Sequence, residues 1–134
     1  HLYFAVLNAL LAFRNKVNIS RNLAMEIMLY ASAQRQIRKA ITLVGVERDS
    51  VNMAVVLVGE TPGSVKTVLS AVSKRIGAKP DETVLELSDG KMQSIRKAFT
   101  ISERELETVT KKNNLEQALV SLVVERIALL PTQL

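Results

Sequence analysis

The chain has 134 residues, a formal net charge of +5 and 48% apolar residues, with no cysteine and a single histidine, at position 1. That length suits one domain spanning residues 1–134, large enough to bury a core. The apolar fraction excludes a disordered or fibrous chain, and no apolar run reaches the roughly 18 to 20 residues that cross a bilayer. Without cysteine there is neither a disulfide framework nor a thiolate metal site, which suits a cytoplasmic protein.

The opening HLYFAVLNALLAF lacks the basic lead and small-residue cleavage site of a signal peptide. It reads as a helix already under way, so the natural protein is expected to begin upstream. Over residues 2 to 14, Leu2, Ala5, Val6, Ala9, Leu10 and Phe13 recur at spacings of three and four and form an apolar stripe. Asn18 or Ser20 can cap the next helix by accepting an orphan backbone N–H. From Ile19 to about Ala31, apolar residues point in every direction, which marks a buried central helix. Glu26 is its only acid; so placed, a carboxylate needs a cation or donors, for which Arg21 or Arg35 could serve, and it reads as an internal brace.

Ser32-Ala33-Gln34 breaks that helix, with Ser32 a cap for the next one. There Ile37, Ala40, Ile41 and Val44 share one side while Arg35, Arg38 and Lys39 crowd the other, beside a helix start whose free N–H groups favour an anion. Gly45 is placed to close this helix in a left-handed conformation. The β-rich run Val51 to Val58 fits an inner strand. Gly59 to Ser64 then lead into a helix with Val65, Val68, Leu69, Val72 and Ile76 on one stripe; no Gly-Lys-Ser/Thr follows the strand, so this is no phosphate-binding loop. Gly77 to Pro80 make a turn, and Asp81 to Leu87 fit either a helical turn or a short strand.

Met92 to Phe99 fit a short helix with Ile95 and Phe99 inward. Ser102 and Glu105 form a capping box for another, which Lys111-Lys112-Asn113-Asn114 ends. The last helix, about Leu115 to Leu130, carries a main apolar stripe of Leu115, Leu119, Leu122, Val123, Leu129 and Leu130. A second stripe, Val120, Val124 and Ile127, is either enclosed by the fold or offered to a partner. Together these elements predict an α/β (α+β) fold, a small mixed sheet packed against several helices around a buried central helix.

Charge is placed unevenly. Residues 1 to 45 hold Arg14, Lys16, Arg21, Arg35, Arg38 and Lys39 against Glu26 alone, whereas residues 46 to 134 hold twelve bases and twelve acids. Clustered charge raises a local potential, so the excess points to a polyanionic partner, a solvated helix face being the competing reading. Catalytic chemistry is not evident: His1 cannot anchor a triad, no paired carboxylates flank a glycine loop, and no His/Asp/Glu cluster has metal spacing. No cofactor and no small-molecule substrate are expected. The signatures of RRM and KH modules are missing too, which leaves a compact basic site able to grip a short phosphate backbone or a strand end.

Asn18-Ile19-Ser20-Arg21, Met25-Glu26-Ile27, Tyr30-Ala31-Ser32-Ala33-Gln34-Arg35-Gln36-Ile37, Ala40-Ile41 and Gly45 resemble the signature of the small kinase-binding subunit of the KEOPS (EKC) complex, the PRPK-binding family. Val55 to Val58, Asp81 to Leu87 and Glu125 to Leu130 also resemble it, although only the first block is specific. One departure stands out: Ala33 occupies the place of a motif glycine. The family has a strand-containing segment ahead of the first helix, so the chain looks shortened.

The resemblance implies a small α/β domain that does no chemistry itself. It would dock on the atypical kinase/ATPase subunit of a complex that installs threonylcarbamoyl on a tRNA adenosine. It would also hold the single-stranded CCA end of tRNA, with Ser32, Gln34, Arg35 and Gln36 of the motif, Arg38 and Lys39 beside them, and Arg21 as candidates. Such a protein is cytoplasmic, or nuclear in a eukaryote. The alternative is an interaction module that steadies a kinase through Val120, Val124 and Ile127 without touching RNA.

Overall fold

The computed structural model describes residues 1–110 and 114–133, and among these the regular structure is helical throughout. Seven α-helices follow one another: α1 (Leu2–Arg14), α2 (Leu23–Ser32), α3 (Ile37–Val44), α4 (Pro62–Ile76), α5 (Asp89–Ala98), α6 (Glu103–Val109) and α7 (Leu115–Ala128). Short 3-10 turns lie at Glu82–Leu85 and Leu130–Thr132. The described residues divide into two compact units, one of residues 1–46 with 87–134 and one of residues 47–86.

In the first unit, α1 packs most extensively against α2 and buries Ala5, Ala9 and Ala12. Spaced at i, i+4 and i+7, these small side chains lie on one face and let the two backbones approach closely. The larger apolar residues of α1, Tyr3, Leu7, Leu10 and Leu11, remain exposed. Helix α2 is the buried centre, contributing Ile27, Leu29, Tyr30 and Ala31 to the interior. From α7, Leu119, Leu122, Val123 and Ile127 close the core, joined by Ile101, Leu106 and Leu130. The eight Leu and Ile side chains buried there contribute roughly 1.5–3 kcal/mol each relative to exposure, before chain entropy is counted. Leu115 and Leu129 of the expected main stripe of α7 lie outside that core and are exposed.

Local signals set most helix starts. Asn22, rather than Asn18 or Ser20, caps α2 by accepting the Met25 N–H, while Ser20 Oγ accepts from the Asn22 N–H. Ser88 caps α5 and Asn114 caps α7. The Ser102–Glu105 capping box of α6 forms as its spacing predicts. Lys111, Lys112 and Asn113, expected to end α6, lie outside the described residues; Thr110 follows its last turn.

Three helices of this unit end in Schellman motifs, in which the chain turns through a left-handed residue while two N–H groups return to the last-turn carbonyls. Lys16 (φ +57°) follows α1, Ala33 (φ +52°) follows α2 and Thr100 (φ +54°) follows α5. The paired bonds are Lys16 N–H to Phe13 O with Val17 N–H to Ala12 O, Ala33 N–H to Tyr30 O with Gln34 N–H to Leu29 O, and Thr100 N–H to Lys97 O with Ile101 N–H to Arg96 O. None of the three is glycine, the residue that adopts this conformation without a Cβ penalty.

In the second unit, Thr61 caps α4, Pro62 fills its first turn and Gly77 (φ +74°) ends it. No residue of α4 is buried; Val65, Leu69 and Val72 are half-buried, and Val68 and Ile76 are exposed.

The expected α/β fold with a mixed sheet is corrected by these observations. Val51 to Val58 carry no regular structure, and Val51, Met53, Val55, Val56 and Val58 are exposed. A strand exists only where a second backbone accepts its ladder, and among the described residues no segment pairs with this one. Asp81 to Leu87, open between two readings, contains the 3-10 turn Glu82–Leu85, started by Asp81 Oδ1 accepting the Thr83 N–H. Gly45 is not left-handed: it is extended (φ −70°, ψ 156°), and a Cβ there would collide with the Ile41 carbonyl.

Candidate functional site

The loop that leads into α2 is held from inside by the one acid of the first 46 residues. Glu26 is fully buried on α2, and its carboxylate accepts two backbone N–H groups, Ile19 to Oε1 at 2.9 Å and Ser20 to Oε2 at 2.6 Å. Neither Arg21 nor Arg35 meets it; charge-assisted bonds from the preceding loop do, the usual way to keep a buried carboxylate satisfied. Glu26 is therefore the internal brace its position suggested, with different partners. Above it, burial lifts the Tyr30 phenol over its ordinary pKa, reinforced by the negative charge of Glu26 and opposed by Arg35.

The candidate residues of the turn divide by depth. Ser32 is buried, and its hydroxyl donates to Met28 O (2.8 Å) and Leu29 O (3.1 Å) within its own helix instead of capping α3. Gln34 and Arg35 are half-buried, and Arg35 Nη1 donates to Leu130 O at 3.4 Å, tying the turn to the end of the C-terminal helix. Gln36, Arg38 and Lys39 are exposed. Gln36 occupies the N-cap of α3 without a side-chain cap bond, so the first-turn N–H groups of α3 receive no side-chain acceptor from it. Arg21 is exposed on the loop that Glu26 holds. The ten residues of α2 separate it from the turn by roughly 15 Å. The structure thus brings Gln34, Arg35, Gln36, Arg38 and Lys39 together, withdraws Ser32 into the helix and leaves Arg21 at the other end.

The apolar side of α3 is not inward as its period predicts. Ala40 is buried, whereas Ile37, Ile41 and Val44 are between 40% and 47% exposed. On α7 the second stripe is also divided: Val120 is exposed, Val124 half-buried and Ile127 fully buried in the core.

A second basic cluster, absent from the sequence reading, surrounds the corner between α5 and α6. Arg126 of α7 donates from Nε to Phe99 O and from Nη2 to Thr100 O, both at 3.4 Å, and its Nη2 pairs with Glu105 Oε1 at 2.8 Å. The Glu105 carboxyl is held below its ordinary pKa, first by the Ser102 N–H and then by Arg126. The capping box was the one available signal, since a carboxylate fixed at a helix start is a natural partner for a cation arriving from another helix.

Among the described residues no cluster of His, Cys, Asp or Glu could hold a metal ion, and no helix is long and apolar enough to cross a membrane. The chain is 32% identical over 96 residues to the Regulatory protein Cgi121 of Methanocaldococcus jannaschii, a match covering 72% of this chain and 61% of that relative. No solved structure matches it. Residues 1–130 match the family described as Kinase binding protein CGI-121. With its specific turn, its braced central helix and a match over nearly its whole length, the chain belongs to the CGI-121 kinase binding protein family.

Proposed function

We propose that the chain is a non-catalytic accessory subunit of the KEOPS tRNA threonylcarbamoyladenosine complex, acting in the cytoplasm. It docks on the atypical kinase/ATPase subunit and recruits tRNA by its 3' CCA end through the α2–α3 turn. One observation carries the RNA part of this reading. The sole acid among residues 1–46 is buried with both oxygens on backbone amides, so the surface of this segment carries cations only. Exposed Arg38 and Lys39 stand on the first turn of α3, where uncapped N–H groups and the helix dipole add to their potential. A strand end, free of a base-paired partner, can approach such a short site.

The test is tRNA binding at two salt concentrations, with the CCA end present and trimmed. Binding is expected to weaken with salt, because each neutralised phosphate releases counterions, and to weaken again on trimming or in Arg38→Glu/Lys39→Glu. Equal affinity for trimmed and intact tRNA defeats the reading. The exposed apolar side of α3 supports the second reading, a kinase-steadying module without RNA contact. Under it, Ile41→Asp abolishes kinase co-purification while tRNA affinity is immeasurable in the parent chain.

A further inference from the structure

The corner between α5 and α6 is a concavity of about 530 Å³ lined by Gln93, Arg96, Lys97, Thr100, Ile101 and Ser102. Arg96 Nε is buried and has no hydrogen-bond partner among the described residues. A guanidinium nitrogen so placed loses its water without a replacement, which costs roughly 1–3 kcal/mol or more for a charged group; an oxyanion in the concavity would satisfy it. Lys97 is exposed beside it on the same last turn. Of the two acids in the first turn of α6, Glu105 is taken by the Ser102 N–H and by Arg126, and Glu103 is exposed to solvent. Arg126 offsets the charge of Glu105, which leaves Arg96 and Lys97 beside Glu103 at the corner.

This corner and the α2–α3 turn are joined through one element. Arg126, on α7, binds the corner at Phe99 and Thr100, while Arg35 binds Leu130, four residues further along the same segment. Arg126 sits in the last turn of α7 and Leu130 opens the 3-10 turn just beyond it, so both anchoring points lie at the end of α7 within one compact unit. We propose that the Arg96–Lys97 corner is a second phosphate-binding contact, filled by the backbone of single-stranded RNA whose end lies at the α2–α3 turn. This rests on the RNA reading above and extends it from a grip on the strand end to a track for the strand.

The experiment uses the 134-residue chain. Affinity for a CCA-ended single-stranded RNA is measured at two salt concentrations for the parent, Arg96→Gln/Lys97→Gln and Arg38→Glu/Lys39→Glu, and the Arg96 Nε–Hε NMR signal is followed during titration with the RNA or with inorganic phosphate. Loss of affinity in both variants, a salt slope lower by about 1.4 in the glutamine variant, and an Arg96 signal that moves with RNA are expected. Loss in the glutamine variant alone places RNA at the corner but not at the turn, and overturns both the continuous track and the turn as the RNA site. Loss in the glutamate variant alone, with a still Arg96 signal, overturns the inference and leaves the proposed function standing. A signal that moves with phosphate but not with RNA overturns RNA as the occupant, and an absence of RNA binding in the parent overturns both. Should Arg96→Gln not fold, Lys97→Glu and the parent's Arg96 signal decide the same question.

Discussion

At the α2–α3 turn, Ala33 ends a helix at φ +52° and Arg35 reaches out to Leu130; at the α5–α6 corner, Thr100 ends a helix at φ +54° and Arg126 reaches in from α7. Helix α2, which leads into the turn, and the corner each carry one carboxylate set on backbone amides, Glu26 on Ile19 and Ser20, Glu105 on Ser102. The parts correspond, but the burial does not. Glu26 and Ala33 are interior, whereas Thr100 is exposed and Glu105 only half-buried. In the interior an unmet polar group or a missing methyl has no water to replace it, so equivalent substitutions should cost more around the turn. The one exception is the arginine. Arg126 makes an ion pair as well as two bonds to carbonyl oxygens, and Arg35 makes one bond to a carbonyl.

The carboxylates give the largest contrast. Glu26→Ala strands one buried and one half-buried amide and is expected to destabilise by about 3 kcal/mol, lowering the melting temperature by roughly 10 °C. Glu26→Gln keeps the shape and one acceptor and should lose about half as much. Thermal and denaturant unfolding measure both, and a Glu26→Ala cost under about 1 kcal/mol would break the contrast. The arginines follow in size. Arg126→Ala should cost about 1–2 kcal/mol and Arg35→Ala about 1 kcal/mol or less. Equal losses in denaturant titrations would mean that the ion pair to Glu105, a quarter to two-fifths exposed, contributes nothing measurable.

These contrasts could be half read from the sequence. The helical stripe of Leu2 to Phe13 except Leu10, the enclosed helix around Glu26 and the Ser102–Glu105 capping box are local patterns, and local patterns found them. Arg35 and Leu130 are 95 residues apart, and Arg126 and Thr100 are 26 apart, so no window of periodicity contains either contact. The same limit explains Val51 to Val58: an apolar β-rich run states a preference, while a strand requires a partner that the run cannot supply. It also explains α3, whose period groups Ile37, Ala40, Ile41 and Val44 but does not say whether anything covers them; only Ala40 is covered. Ala33 is the intermediate case. A motif position that elsewhere carries glycine is compatible with a left-handed residue, and the backbone at Ala33 has that conformation.

Left-handed backbone costs an L-residue roughly 1–2 kcal/mol, so glycine should stabilise both corners, unequally. Thr100→Gly removes an exposed β-branched side chain and is expected to gain about 1 kcal/mol. Ala33→Gly loses a methyl buried in the core, worth up to about 0.8 kcal/mol, which offsets most of its gain. Thermal unfolding of the two variants should therefore rank Thr100→Gly above Ala33→Gly; the reverse order would mean that strain at Ala33 exceeds the packing of its methyl.

The smallest effect depends on pH and belongs to the corner. Glu105 has a pKa below its unfolded value because the Ser102 N–H and Arg126 favour its charged form. A depressed carboxylate gives stability that is fully present above the unfolded pKa, about 4.3 for glutamate, and that is lost as pH falls through the lower folded value. Glu105→Gln should thus melt below the parent at pH 7, and the gap should close as the pH drops beneath the carboxylate range. The Glu105 contribution is isolated by comparing Glu105→Gln with the parent at each pH and not by the parent's acid limb alone. A gap that stays constant from neutral pH to pH 3 would show that the capping box acts through shape and not charge, and would leave Arg126 tied to the corner by its carbonyl bonds.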